Sequence, residues 1–316
     1  MLAVLLAAAL VAGCRVAGSW LEASGVDLHL GQTWPLLGHW RDTPEPGLVV
    51  AVLVAVGAVW LAPRCAASLR WGWLLVGAYL SALAWALALA LSEGTSGLTY
   101  PMSYRAEYVG EVARVDDLSR YLPAFTDHIM GEPKWAAHVG GHPPGAFGIF
   151  LLLDRVGLAG PLWAGLSCAV IGAAAVPAVL STVRVIGAES LARRAAPFVA
   201  FAPAALWIAA SADAVFMAVS ASGICALAHA ARRRDRWGDL LAAAGGIALG
   251  GSLFFSYGLM LLGPLAAAVV LARRRIRPLV IGGIAVLAVF AAYAAGGFLW
   301  WEGLALTIER VHWGPA

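Results

Sequence analysis

The chain has 316 residues, of which 61% are hydrophobic and 12% are charged, with a net charge of +3. Soluble domains run at about 45–50% apolar and about 25% charged, so this composition excludes an ordinary soluble fold and fits a polytopic membrane protein. Arginines in short clusters between apolar runs argue against a nucleic-acid surface.

Apolar runs mark the predicted elements in chain order. A first span over 2–18 has no basic residues ahead of it and reads as an uncleaved anchor, although Val11-Ala12-Gly13-Cys14 has the form of a lipobox. The loop 19–46 carries Glu22, Asp27, Arg41, Asp42 and Glu45. Spans over 47–62 and 71–92 flank a connection with Arg64 and Arg70, and Trp71 and Trp73 suit an interfacial belt. The loop 93–142 holds seven of the 18 acids and three of the seven histidines. Residues 143–156 are too short to cross and end on Asp154 and Arg155. Spans over 160–183, 195–210, 212–231, 239–254, 256–272 and 278–297 follow, then Trp300, Trp301, Glu302 and a polar tail. The expected fold is an all-α transmembrane bundle of about nine crossings. A single transmembrane domain covers 1–316, with 93–159 as an extracytoplasmic loop bearing short amphipathic helices. The four cysteines (Cys14, Cys65, Cys168, Cys225) have no metal-ligand spacing and read as apolar fillers. Twenty of the 21 basic residues are Arg, which with the high Ala and Gly content points to a high-GC bacterial source.

Four clusters hold 13 of the 21 basic residues and only three acids: Arg64/Arg70, Arg184/Arg193/Arg194, Arg232–Arg236 and Arg273–Arg277. The positive-inside rule puts these clusters and the N-terminus in the cytoplasm of a plasma-membrane protein, and the loop 93–142 outside. From His142 outside to Arg184 inside the chain must cross an odd number of times. Since 160–183 supplies one crossing, 143–156 should lie at the outer interface as a short amphipathic or re-entrant helix.

Within this outer segment, His142-Pro143-Pro144-Gly145 reads as a rigid corner opening a helix, because two prolines tolerate only a helix start. Leu118, Leu122, Phe125 and Ile129 recur at helical spacing, giving an amphipathic surface helix that Pro123 splits. Asp116 or Asp117 can cap it, or can take a proton from an attacking hydroxyl or hold a divalent cation. Glu107 and Glu111 lie one or two turns earlier. Arg105, Arg114, Arg120 and Lys134 are candidate phosphate clamps. His128 and His138 are possible metal ligands, with Asp116, Asp117 and His138 the set for such an ion. Asp213, in an apolar hairpin beside Ser211, is either a helix cap in a wet turn or a functional carboxylate.

These residues resemble the GT-C superfamily of integral-membrane glycosyltransferases, nearest its bacterial PMT/ArnT-like branch. The pattern is Asp116-Asp117 followed by Tyr121-Leu122, then His142-Pro143-Pro144-Gly145. Pro203…Ser211-Ala212-Asp213, Phe255-Ser256-Tyr257-Gly258…Pro264 and Trp301-Glu302-Gly303 also resemble it. Two departures are Leu118 where an acidic partner stands, and an acidic loop after the third span instead of the first. The resemblance implies transfer of a sugar, usually with inversion, from a polyprenyl-phosphate donor to an extracytoplasmic glycan, lipid or protein. It implies Asp117 as base or acceptor-positioning acid, with Asp116 and Glu107 as alternatives, and His142 near the donor phosphate. Arg105, Arg120, Lys134, Tyr121 and Asp213 complete the expected donor site. The rival classes are a transporter or lipid flippase, which would carry charged or broken helices at mid-membrane, and a non-catalytic membrane partner docking through 93–142.

Overall fold

The computed structural model describes residues 2–26, 46–209 and 211–313. Most of the polar loop 19–46, with Asp27, Arg41, Asp42 and Glu45, lies outside the described residues, as do Ala210 and the last three residues of the tail. The chain divides into two compact units, Met1–Pro44 and Glu45–Ala316. The first carries α1 (Leu2–Ala23).

The second unit contains α2 (Pro46–Ser68) and α3 (Trp71–Ala90), the latter extended by a 3-10 turn over Leu91–Glu93. Short elements follow: α4 (Ser96–Ser103), a 3-10 helix over Val109–Arg114, α5 (Leu118–Tyr121), α6 (Asp127–Met130), α7 (Ala137–Gly141) and α8 (Pro144–Arg155). Then come α9 (Pro161–Ala173), α10 (Ala175–Ile186), α11 (Glu189–Ala200), α12 (Ala205–Ile208), α13 (Asp213–Ala230) and α14 (Arg236–Leu253). A 3-10 helix over Tyr257–Leu261 runs into α15 (Leu262–Leu271), followed by α16 (Arg277–Ala295) and α17 (Trp300–Trp313). The described residues contain helices and no strand.

Among the described residues, five stretches are long and apolar enough to cross a membrane: Pro46–Ser68, Trp71–Glu93, Pro161–Ile186, Asp213–Ala230 and Arg277–Ala295. At about 1.5 Å per residue each rises roughly 27–39 Å, against a hydrocarbon core of about 30 Å. Their outward faces are apolar, with Leu53 65% and Val59 74% exposed on α2. Such a surface belongs in lipid and not in water.

Small residues set the packing between these helices. On α3, Leu74, Ala78, Ala82 and Ala86 form a buried stripe at four-residue spacing. Helices α14 and α16 cross closely, where a Cβ on Gly246 would stand 2.2 Å from the Gly282 carbonyl oxygen. Only hydrogen fits there, and the two backbones gain van der Waals contact in return.

The arginine clusters gather at one end of the bundle. Arg184 stacks 4.5 Å over Trp71 at the start of α3. Glu189 receives Arg184 Nη2 and Arg193 Nη2, each at 2.7 Å, and Arg193 Nη1 donates to the Ala66 and Leu69 carbonyls that end α2. Arg273 donates to the Val185 carbonyl, Arg275 to the Arg233 carbonyl, and Arg277 pairs with Asp239 at 2.6 Å. The short elements α4–α8 and helix α17 pack together elsewhere, joined through α17 with α6 and α7 with α8.

Three expectations change. Residues 195–210 do not form one helix. Helix α11 ends at Ala200 and α12 begins at Ala205, because Pro203 supplies no N–H and disfavours helix at the residue before it. The 256–272 run is a 3-10 turn plus a ten-residue helix, shorter than the expected span. The segment 118–129 is split, as Pro123 requires, but it is no surface helix. Phe125 and Ile129 are fully buried, in a core shared with Phe147, Phe254 and Phe298. Helix α8, by contrast, is short as expected within 143–156: its 12 residues rise only about 18 Å.

Candidate functional site

The corner that opens α8 is set by its sequence. Pro143 is the residue before the helix and Pro144 its first residue, where no backbone donor is needed. Gly145 brings the helix against the end of α14, since a Cβ there would stand 2.5 Å from the Phe254 carbonyl oxygen. The Ala146 amide donates to that same carbonyl at 3.2 Å.

This approach fixes His142. Its Nδ1 lies 3.0 Å from the Phe255 carbonyl oxygen. A carbonyl only accepts, so Nδ1 carries the proton and the neutral ring keeps its lone pair on Nε2. The ring lies 6.2 Å from the Tyr108 ring and 5.9 Å from that of Phe216. Burial lowers the His142 pKa, with only partial compensation from the Phe255 carbonyl and from the charges of Asp213 and Glu107.

His138 is held differently. Its amide donates to the Ala106 carbonyl at 2.9 Å, tying α7 to the segment before it. Its Nδ1 lies 2.8 Å from Glu107 Oε1, with the Glu107 side chain 14% exposed and that of His138 50% exposed. The hydrogen bond to Glu107 raises the His138 pKa against the opposing effect of burial. The two imidazoles are 6.3 Å apart. Tyr108 forms their floor, stacked at 5.1 Å on Phe150 of α8. Burial pushes its hydroxyl pKa well up, and the charges of Glu107 and Asp213 add to this.

Asp213 is the first residue of α13. Its Oδ2 accepts from Ser211 Oγ at 2.9 Å, and its amide donates to the same hydroxyl at 3.1 Å. The carboxylate is exposed, yet its field reaches His138, His142 and Tyr108. The charges of Glu107 and Asp213 thus bear on both imidazoles, and the four residues are brought together from three segments of the chain. Chemically, the arrangement offers two imidazoles with free Nε2 atoms, one backed by a carboxylate, as proton transfer requires.

The other predicted residues lie apart from this group. Asp117 caps α5, accepting from Ser119 N at 2.9 Å and Ser119 Oγ at 2.7 Å. Those bonds, the hydroxyl first, lower its pKa. Arg120 stands 3.7 Å away in solvent. Asp116 is exposed and lines a hollow of about 280 Å³ with Asp154 and Arg155. Arg155 Nη2 donates to the Val115 and Asp116 carbonyls at 2.9 and 3.0 Å. Tyr121 is buried and its hydroxyl donates to the Pro144 carbonyl, so it braces the corner. Arg105 is exposed, and Lys134 stands 4.0 Å from Glu132. Arg114 holds Glu111 and the Pro133 and Lys134 carbonyls. No phosphate clamp of Arg105, Arg120 and Lys134 is assembled among the described residues. Nor do three His, Cys, Asp or Glu side chains there converge as metal ligands; His138 is engaged by Glu107, not by Asp116 or Asp117.

Sequence reasoning missed the Glu107–His138 pair, whose members are 31 residues apart in no periodic pattern. It also missed the Phe255 carbonyl, a backbone atom that no residue type announces. Below the corner, an apolar groove of about 560 Å³ runs between α5, α8 and α16, lined by Leu118, Leu122, Pro144, Gly148, Ile149 and Tyr293 among others. No protein-family model, curated protein or solved structure matches the chain.

Proposed function

We propose that the protein is a membrane glycosyltransferase that moves a sugar from a polyprenyl-phosphate donor to an extracytoplasmic acceptor. In this reading the arginine end faces the cytoplasm and the chain crosses nine times in a GT-C-like arrangement, with α11 and α12 making one broken crossing. Helix α8 lies at the outer interface. The observation that carries the reading is that the Glu107–His138 pair and His142 stand beside the corner whose Pro144 and Gly145 line an apolar groove. A lipid-linked sugar needs both: a dry channel for the isoprenoid and a polar mouth for the phosphate and sugar.

The acceptor hydroxyl oxygen attacks the anomeric carbon and gives its proton to His138 Nε2. Glu107 stabilises the imidazolium that forms. The bond from the anomeric carbon to the phosphate oxygen breaks, its electron pair leaves with the polyprenyl phosphate, and the configuration inverts. His142 stands beside the donor phosphate with Asp213 at the rim, and Arg105 is the nearest solvent-facing cation in sequence to Glu107. His138, backed by Glu107, replaces Asp117 as the leading base, because the Asp117 carboxylate is engaged in capping α5.

The test is sugar transfer in proteoliposomes from a radiolabelled polyprenyl-phosphate sugar. Glu107→Gln and His138→Gln should lower the rate by about 10²–10⁴-fold, the range for a lost general base. Asp117→Asn, which keeps an oxygen acceptor for the cap, should stay close to wild type. Wild-type rates in both Glu107→Gln and His138→Gln would sink the assignment. Donor movement across the bilayer without transfer would favour a flippase.

A further inference from the structure

Helices α2, α3 and α11 line a crevice of about 350 Å³. Its α2 side runs from Val54 to Leu69, roughly 22 Å at about 1.5 Å per residue. That exceeds the roughly 15 Å depth of one leaflet's hydrocarbon. The lining is apolar and made of small side chains, among them Gly57, Ala58, Ala62, Gly77 and Ala78.

At the arginine end a second hollow, of about 690 Å³, adjoins the crevice, and the two share Ala66 and Pro197. Arg193 and Arg194 line this hollow. Arg193 is fixed by Glu189 and by the carbonyls that end α2. Glu189 also serves Arg184, so one carboxylate faces two guanidiniums. Arg194 is exposed and makes no ion pair among the described residues. The rim thus has uncompensated positive charge above an apolar slot that is deep enough for an acyl chain.

We infer that this crevice is a binding site for an anionic phospholipid, its phosphate at Arg194 and Arg193 and one acyl chain between α2 and α3. The site combines a cationic rim with an adjoining apolar channel, which neither a soluble phosphate nor a neutral lipid satisfies. The inference is independent of the sugar-transfer reading and of which side the arginine end faces.

The test is native mass spectrometry of the full chain in detergent, titrated with phosphatidylglycerol or with phosphatidylcholine of the same acyl chains. Wild type should bind phosphatidylglycerol more tightly. Arg194→Gln should weaken it about five-fold, the equivalent of the ~1 kcal/mol that one arginine contributes at an anionic surface, and should leave phosphatidylcholine unchanged. Arg234→Gln is the control, since Arg234 does not line the crevice. Gly57→Leu with Gly77→Leu should fill the slot and weaken both lipids. A Cβ at Gly57 meets nothing within 4 Å, and at Gly77 only the Leu69 Cδ1 at 4.0 Å, so there is room at both positions for a side chain to start. Equal binding of the two lipids, or equal losses in the Arg194 and Arg234 variants, would overturn the inference. So would displacement of phosphatidylglycerol by glycerol 3-phosphate at matching concentration, which would mark a soluble-phosphate site.

Discussion

Glu107→Gln isolates the charge in the Glu107–His138 pair, because glutamine keeps an acceptor oxygen but removes the carboxylate. A hydrogen bond to a charged partner contributes about 1.5–3 kcal/mol. Glu107 is mostly buried but His138 is half exposed, so solvent screening favours the low end, about 1.5 kcal/mol. Glu107 raises the folded-state pKa of His138 above the unfolded value of about 6.5. The stabilisation is therefore full below about pH 6.5 and is lost as pH rises through the raised folded value. With about 2 °C of apparent Tm per kcal/mol for a chain of this size, Glu107→Gln should melt about 3 °C below wild type at pH 6. The gap should shrink by at least half at pH 9, where only a neutral hydrogen bond is lost. The assay is intrinsic-fluorescence melting in detergent across pH 6–9 for wild type, Glu107→Gln, His138→Gln and the double variant. A gap that does not change with pH, or single effects that simply add in the double variant, would refute the charged pair.

Tyr121→Phe should cost about 1 kcal/mol, because it removes the hydroxyl's hydrogen bond to the Pro144 carbonyl; a drop in apparent Tm measures it. Gly246→Ala puts a Cβ 2.2 Å from the Gly282 carbonyl oxygen and should cost about 1–3 kcal/mol by overpacking. Gly283→Ala, with nothing within 4 Å, should be neutral or slightly stabilising in the same melt. Gly140→Ala places a Cβ 1.9 Å from Arg310 Nη1, displacing the guanidinium that donates to the Ile129 and Trp135 carbonyls. Limited proteolysis should then release the segment containing α17 earlier than in wild type.

Much of the architecture was legible because lipid-facing helices announce themselves by length and composition. The arginine clusters were separated in sequence by whole spans, yet they meet at one end, as parity along a bundle requires. The break between α11 and α12 was also readable, at Pro203, but the apolar run across it outweighed a single proline. The site was legible only in part. Asp117 behaved as a cap, one of its two readings, since Ser119 two residues on offers it both an amide and a hydroxyl. Phe125 and Ile129 have the spacing of a surface helix, but an aromatic core drew them in, and periodicity cannot say which side of a short helix will be covered. His138 was read as a possible metal ligand because imidazole suits either role; its true partner, Glu107, was chosen by the fold.

The contrast between tightly and loosely packed helices has a mechanical consequence. Helices α14 and α16 touch backbone to backbone, whereas α2 buries almost none of its surface. The molecule therefore has a stiff wall and a compliant one. The corner at His142 is fastened to the stiff wall through Phe254 and Phe255. A shift of α2 need not displace Phe255, to whose carbonyl His142 is bound.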